Sequence, residues 1–495
     1  MIRLTTPAAH LRPNERYGLA VLLDASRLLP VDDPAADVVR LTITNDRRDD
    51  YDAFLAGRWA LTHEDGEVRF SRNVLSYVSD VAGAGEEQRS ESYDPHDRVP
   101  SHENPLVRAE RWRDPVVSRH AAALRAAVRT AAGPRPVRCL APWPNGRRWA
   151  AAFTHDLDVV AGWPVFTLLR LVELLRRGEV GRAARSTWAG LAAAGRRAGG
   201  GQSPVWQGVD QLLRADGDAG VRSTWFVIGG TPTLRTWAGG DVTYRPESRA
   251  TRRLLSAVSD GGHEIGLHGS FASWLDVATL RRERERLAAV TGRVPGGVRQ
   301  HFLRMRPGAT QQAMLAAGFR YDATYGYPDR SGFRLGVADI VPGWDANTQA
   351  STPLDEVPLV WMDRALSKYG GVEDPDAWIE DGVSLAAACR EVEGLWVGLW
   401  HPNLTPALGF PDAPAGFGRL VREVLAGERP PFVGTLGEVV AWRAARRGVR
   451  ARTVTSEGRL DLVADGEERQ QWPLVLEDGQ GRVVETRPWP AGDHG

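Results

Sequence analysis

Trp149-Ala150-Ala151-Ala152-Phe153-Thr154-His155-Asp156-Leu157-Asp158 passes from small and apolar residues into two aspartates separated by one leucine. A short apolar run closed by charge is the pattern of a buried parallel strand. Side chains alternate along a strand, so Thr154, Asp156 and Asp158 share one face while His155 and Leu157 take the other. Two carboxylates at the C-terminal end of a buried strand are costly unless metal or hydrogen bonds compensate them. In barrel enzymes that end carries the active site. The plainer alternative is a helix cap followed by a turn aspartate.

Similar runs recur downstream of Gly220. Strands are expected at Ser223–Ile228, Glu264–His268, Val298–Leu303, Val357–Met362, Leu395–His401 and Phe432–Leu436. Helices are expected at Ser248–Ser259, Val277–Val290, Thr310–Ala317, Ser384–Glu393, Gly418–Ala426 and Leu436–Arg447. Such alternation implies a parallel α/β sheet or barrel. Three of these strands end in chemistry. In Gly262-His263-Glu264-Ile265-Gly266-Leu267-His268, the face of Glu264 and Gly266 carries His268, a metal-ligand type. His263 falls on the other face and reads as a structural histidine. Arg299, His301 and Leu303 share a face, which suits either a carboxylate-and-metal site or a basic surface strand. The apolar run Leu395–Leu399 leads to His401, a general-acid candidate at a strand rim.

At 495 residues the chain is expected to hold two to four domains. The divisions expected are an α+β region at 1–147, a barrel at 148–447 with a helical insertion at about 160–200, and a small β-rich tail at 448–495. Basic and acidic side chains number 62 each, which excludes a general nucleic-acid binder. The basic set is almost entirely arginine, with Lys368 the single lysine. Cys139 and Cys389 form neither a disulfide framework nor a CxxC, so any metal must sit among Asp and His. No stretch is apolar over the roughly 18 residues a membrane span needs, and no export signal is legible, so a soluble cytoplasmic protein is expected.

Taken in order, these motifs resemble the polysaccharide deacetylase (NodB-homology) family, the carbohydrate esterase family 4 enzymes. Thr154 to Asp158 is similar to the family's Thr with paired aspartates, and Ser223-Thr224-Trp225-Phe226 to its ATFF strand. Gly262 to His268 resembles its GHEIGNH, Arg299 its arginine motif, and Leu399-Trp400-His401 its closing leucine–histidine motif. The stretches HEIGLHGS, RQHFLR and YDATYGYPDRSGFR resemble a bacterial subgroup with an added N-terminal region.

The resemblance implies a distorted (β/α) barrel and a divalent metal, most often zinc, with cobalt, nickel or manganese as alternatives. It implies hydrolysis of an N-acetyl group on an amino sugar of a saccharide or glycolipid. Asp156 would be the base, Asp158 and His268 metal ligands, Arg299 the residue that orients the base, and His401 the acid. Tyr325 would add a backbone N–H to the oxyanion site. Asp322 would either support Arg299 or cap a turn. Asp329, Arg330 and Arg334 are substrate-contact candidates, and Trp344 is a better sugar-stacking candidate than Trp274 or Trp361. One position departs from the family: where it places a second histidine, this chain has Ala272. His301 is the expected replacement ligand, ahead of Ser270, Ser273 or a water. Two other readings stay open. One is a hydrolase of non-sugar amides on the same fold; the other is a non-catalytic carbohydrate-binding protein with a degraded site.

Overall fold

Strand β1 (Ala150–Leu157) is buried at every position. Ala150 and Ala152 pack with Phe226, Leu395 and Val397 on one side. Ala151 and Phe153 pack with Trp225, Val227 and Trp396 on the other. Coverage on both faces explains the apolar run Ala150–Phe153, and the polar residues Thr154, His155 and Asp156 are confined to the C-terminal half of the strand. The computed structural model describes residues 1–489 apart from 6–9, 32–35, 37, 47, 136, 161, 373, 412, 455–459, 465–471 and 479.

The central sheet continues through β2 (Thr224–Ile228), β3 (Glu264–Gly269), β4 (Gly297–Gln300), β5 (Tyr321–Asp322), β6 (Val341–Asp345), β7 (Ala350–Glu356), β8 (Trp361–Met362), β9 (Leu395–Leu399) and β10 (Phe432–Val433). Their order is β6-β7-β5-β4-β3-β2-β1-β9-β8, with β10 beside the first two residues of β1. Every pairing is parallel except β6 with β7. Connecting helices such as Arg249–Asp260 and Val277–Thr291 bury Leu254, Leu255, Val258, Leu280 and Leu287 against the outer face.

The expected barrel is open. β6 and β8 are not paired among the described residues, although the sheet is strongly curled. Arg299 on β4 touches Asp156 on β1 at 2.7 Å with two strands between them. In a flat sheet three strand spacings would hold those backbones about 14 Å apart. Closure fails because β6 belongs to another core: Val341 and Trp344 pack with Tyr17, Val78 and Val81 of the N-terminal region.

That region holds a sheet ordered Ile2–Leu4, Val39–Thr44, Glu67–Ser71 and Thr62–Glu64, packed against helices Pro13–Ser26, Asn73–Ala82 and Val116–Ala132. In the tail, Val449–Val454 pairs with Leu460–Ala464. Leu474–Glu477 pairs with both Val483–Arg487 and Cys139–Leu140, so the chain's end is stitched to the segment just before β1. Parts of the tail expected at 448–495 lie outside the described residues.

Several local expectations change. Of the strand expected at Val357–Met362 only Trp361–Met362 is in the sheet, and the helix expected from Gly418 begins at Ala413. The strand expected at Val298–Leu303 stops at Gln300, and His301–Leu303 form a tight turn with Phe302 and Leu303 at positive φ. The helix expected from Ser384 begins at Pro375, where Asp374 caps the first turn and proline supplies a preset φ. The insertion is two helices, α1 (Trp163–Arg176) and α2 (Val180–Ala198), broken at Gly178 with φ 75°.

Candidate active site

The C-terminal ends of β1, β3, β4 and β9 open onto a cavity of about 360 Å³ lined by Asp156, Asp158, His268, His301 and His401. Alternation along β1 puts Thr154, Asp156 and Asp158 on this side. His155 goes to the other side, where its Nδ1 meets the Trp400 carbonyl at 2.8 Å and its ring lies 4.3 Å from Trp225. His263 is likewise structural, its Nδ1 accepting from the Ser223 backbone N–H at 3.0 Å.

Arg299 is fully buried, and its guanidinium is used as a clamp. It donates to the Ala323 carbonyl (3.0 Å), Thr154 Oγ1 (3.0 Å) and Asp156 Oδ1 (2.7 Å), and lies 4.4 Å over the Phe226 ring. This fixes the Asp156 carboxylate and leaves its Oδ2 facing the cavity, 3.7 Å from His268 Nε2.

Each histidine of the cavity is tethered through Nδ1. For His268 the partner is the Arg299 carbonyl at 2.8 Å. A carbonyl only accepts, so Nδ1 carries the proton and Nε2 is the free nitrogen. For His301 the partner is Asp241 Oδ1 at 3.0 Å, and for His401 it is Asp363 Oδ1 at 2.6 Å. All three Nε2 atoms face Asp158, at 3.4 Å for His268, 3.6 Å for His301 and 3.8 Å for His401. Tethering of Nδ1 by a carbonyl or carboxylate is how ligating imidazoles are held in proteins.

Asp158 Oδ1 is buried and accepts no hydrogen bond. It lies with Nε2 of His268 and of His301 in a group whose ligand atoms are all within 4.8 Å of one another. Lone pairs converging in this way call for positive charge at their centre. One carboxylate oxygen and two imidazole nitrogens fit a divalent transition metal and leave positions open for water and substrate. Electrostatics point the same way. Burial disfavours charge on Asp158, but His268 and then the other imidazoles hold its carboxyl well below the usual carboxylate range. Burial also opposes charge on His401, yet Asp363 outweighs it and raises the imidazole above its ordinary value. For His268 the same contest is won by Asp156 and Asp158.

Ala272 is exposed and supplies no ligand. The weaker substitutes are occupied elsewhere: Ser270 Oγ donates to Glu283 Oε1 at 2.5 Å and Ser273 Oγ to the Ser270 carbonyl at 2.8 Å. His301 is the imidazole that stands beside Asp158 and His268, and it comes from the turn after β4, not from the strand.

The substrate-contact residues expected from sequence are not in the cavity. Tyr325 is 3% exposed in the N-terminal core, and its carbonyl accepts from the Leu359 N–H. Asp322 does not reach Arg299; its Oδ1 accepts from the Thr324 backbone N–H at 2.8 Å and from the Thr324 hydroxyl, which makes it a turn support. Trp344 packs 4.9 Å from Tyr17 and against Gly83, where a Cβ would lie 2.9 Å from its ring. Arg334 is a buried strut, paired with Glu87 at 2.8 Å and donating to the Gly326 and Val99 carbonyls. Asp329 and Arg330 pair with each other, and Asp329 also accepts from Ser101 Oγ. Trp361 is core, and Trp274 lies under the Arg304 and Arg306 guanidiniums.

Two supports escaped the sequence reading. Asp241 sits in a loop with no periodic signal. Asp363 follows the short β8, and its only cue is a carboxylate at a strand end. Arg98 of the N-terminal region also lines the cavity. A larger cavity of about 950 Å³, beside helices Pro204–Ala219 and Ala413–Leu425, holds no comparable cluster.

No protein-family model matches the chain, and no curated protein matches it. Among solved structures it is similar to a Mycobacterium smegmatis protein assigned as a polysaccharide deacetylase (24% identity, 63% of this chain, 96% of that one, TM-score 0.41). It is also similar to a chitin deacetylase from Colletotrichum lindemuthianum (12% identity, 64% and 93% covered, TM-score 0.31). A third is a carbohydrate esterase family 4 pseudoenzyme from Bacillus anthracis (12% identity, 60% and 66% covered, TM-score 0.27).

Proposed function

We propose that the chain is a metal-dependent hydrolase that removes an N-acetyl group from an amino sugar in a saccharide or glycolipid, its catalytic unit lying in 148–447. The observation that carries this reading is the convergence of Asp158, His268 and His301 beside a clamped carboxylate, Asp156, and a carboxylate-tethered imidazole, His401. Asp158, His268 and His301 would hold the ion. A divalent cation bound there, zinc on the family resemblance, polarises the amide carbonyl and acidifies water.

The remaining steps belong to the chain. Asp156, its Oδ1 held by Arg299, takes a proton from the attacking water on Oδ2. His401 is kept protonated by Asp363 and donates from Nε2 to the departing amine. Asp156 stands on β1 and His401 just past the end of β9, the strand beside it. Ala272 favours the degraded-site reading only if nothing replaces the missing histidine, and the 3.6 Å between His301 Nε2 and Asp158 Oδ1 supports a replacement.

The test is acetate release from N-acetylated oligosaccharides by zinc-supplemented protein, with metal content measured in parallel. Asp158→Ala and His268→Ala should lose both while keeping the wild-type circular dichroism. A wild-type protein holding less than roughly a tenth of an equivalent of any metal, unchanged by added zinc, would end this proposal.

A further inference from the structure

We propose that α1 and α2 form a docking surface for an anionic lipid bilayer and hold the mouth of the cleft at headgroup level. Seven apolar side chains of this hairpin stand in solvent at 40–75% exposure: Leu168, Leu169, Val172 and Leu175 on α1, and Val180, Trp188 and Leu191 on α2. Leu168, Val172 and Leu175 follow helical spacing and make one continuous stripe. The usual pattern is inverted on α2, which buries Ala183, Ser186 and Ala193 and exposes Trp188 and Leu191. Seven large apolar side chains exposed on one hairpin mark a surface meant for another apolar body.

Charge selects the occupant. Residues 163–198 carry seven arginines and two glutamates, net +5, in a chain that is neutral overall. Both glutamates are already paired within the hairpin, Glu173 with Arg170 and Arg177, and Glu179 with Arg182. Arg176, Arg185, Arg196 and Arg197 are exposed. A second copy meeting this face symmetrically would set like charge against like. A bilayer with anionic headgroups takes the apolar stripe, the tryptophan and the arginines together.

The surface runs into the active site. Phe166 and Leu169 of α1 line the cavity, as do Arg364, Lys368 and Tyr369 across from them. On the hydrolase reading above, on which this extension rests, the arrangement favours a saccharide attached to lipid over one free in solution.

Flotation of the full chain with vesicles tests the proposal. Binding is expected to vesicles of phosphatidylcholine with about 30 mol % phosphatidylglycerol, much less to phosphatidylcholine alone, and less again at high salt. The triple variant Leu168→Glu, Val172→Glu, Trp188→Ser alters only exposed positions. It should lose at least about tenfold in vesicle binding while keeping zinc uptake and circular dichroism. Zinc uptake without vesicle binding would overturn this inference and leave the hydrolase reading standing. Vesicle binding without zinc uptake would support the docking surface and sink the hydrolase. A dimer that the triple variant makes monomeric, with no vesicle binding, would give the face to a second copy and refute the proposal.

Discussion

Asp241→Asn separates a ligand role for His301 from mere proximity. Asp241 Oδ1 accepts from His301 Nδ1 at 3.0 Å and from the Phe271 N–H at 2.9 Å, and the residue is buried. Asparagine keeps an oxygen of the same shape in the same place, so the ring stays aimed at Asp158. What disappears is the negative charge behind the imidazole, the outer partner that supports a ligating ring. Losing such an outer partner costs about 10–100-fold in metal affinity, or about 1.4–2.7 kcal/mol. Burial limits solvent screening, so the upper half of that range is expected. The control is Asp363→Asn, an identical chemical change at a buried carboxylate that tethers His401 instead. It should leave metal affinity within about twofold, because its partner is placed as the acid and not as a ligand. Zinc affinity is read by competition with a chromophoric chelator at neutral pH, with circular dichroism to confirm folding. If Asp241→Asn binds zinc as tightly as the wild type, or if both variants weaken alike, the assignment of His301 as third ligand is refuted.

Three further outcomes are expected. In Asp363→Asn, His401 loses its main counter-charge and keeps only the weaker pull of Asp158 and Asp156 against burial, so the imidazole loses its proton at lower pH and the alkaline limb of kcat moves to lower pH; a limb that stays put would mean His401 is not the acid. Glu283 is raised to about 7 by burial, against the hydrogen bonds from Ser270, so it binds a proton in the folded state between about pH 4.5 and 7 that the unfolded chain has released. Stability should therefore fall as pH rises through that window, by at most about 3 kcal/mol, and Glu283→Gln should flatten the fall in urea titrations at pH values either side of it. Trp344→Ala should cost about 3–5 kcal/mol of stability through the cavity it leaves beside Tyr17, with zinc affinity unchanged; a normal melting temperature with lost saccharide binding would restore the stacking role the fold denies it.

Legibility in the sequence followed periodicity. β1 is legible because its first half, Ala150–Phe153, is apolar and covered on both faces, and alternation then puts Asp156 and Asp158 on one side. His268 and His401 were legible for the same reason, each ending an apolar strand. His301 was found on a wrong premise: it was placed on the face of Arg299 along a continuing strand, whereas the chain turns at Phe302. Asp241 and Asp363 were invisible because loop and strand-end carboxylates have no period. Trp344, Tyr325 and Arg334 were misread because nothing local says that an N-terminal sheet and its helices pack over them.

By itself, the sequence determined the parallel α/β core, the order of its strands along the chain and the strand ends that carry carboxylates and imidazoles, since these follow from patterns of two and 3.6 residues. Only the tertiary structure decided that the sheet curls without closing, that Arg299 reaches Asp156 across two strands, and that His301 stands beside Asp158 and His268. Those are distances between residues up to 143 positions apart. They depend on how the outer helices and the N-terminal core bend the sheet, and no local pattern encodes that bend.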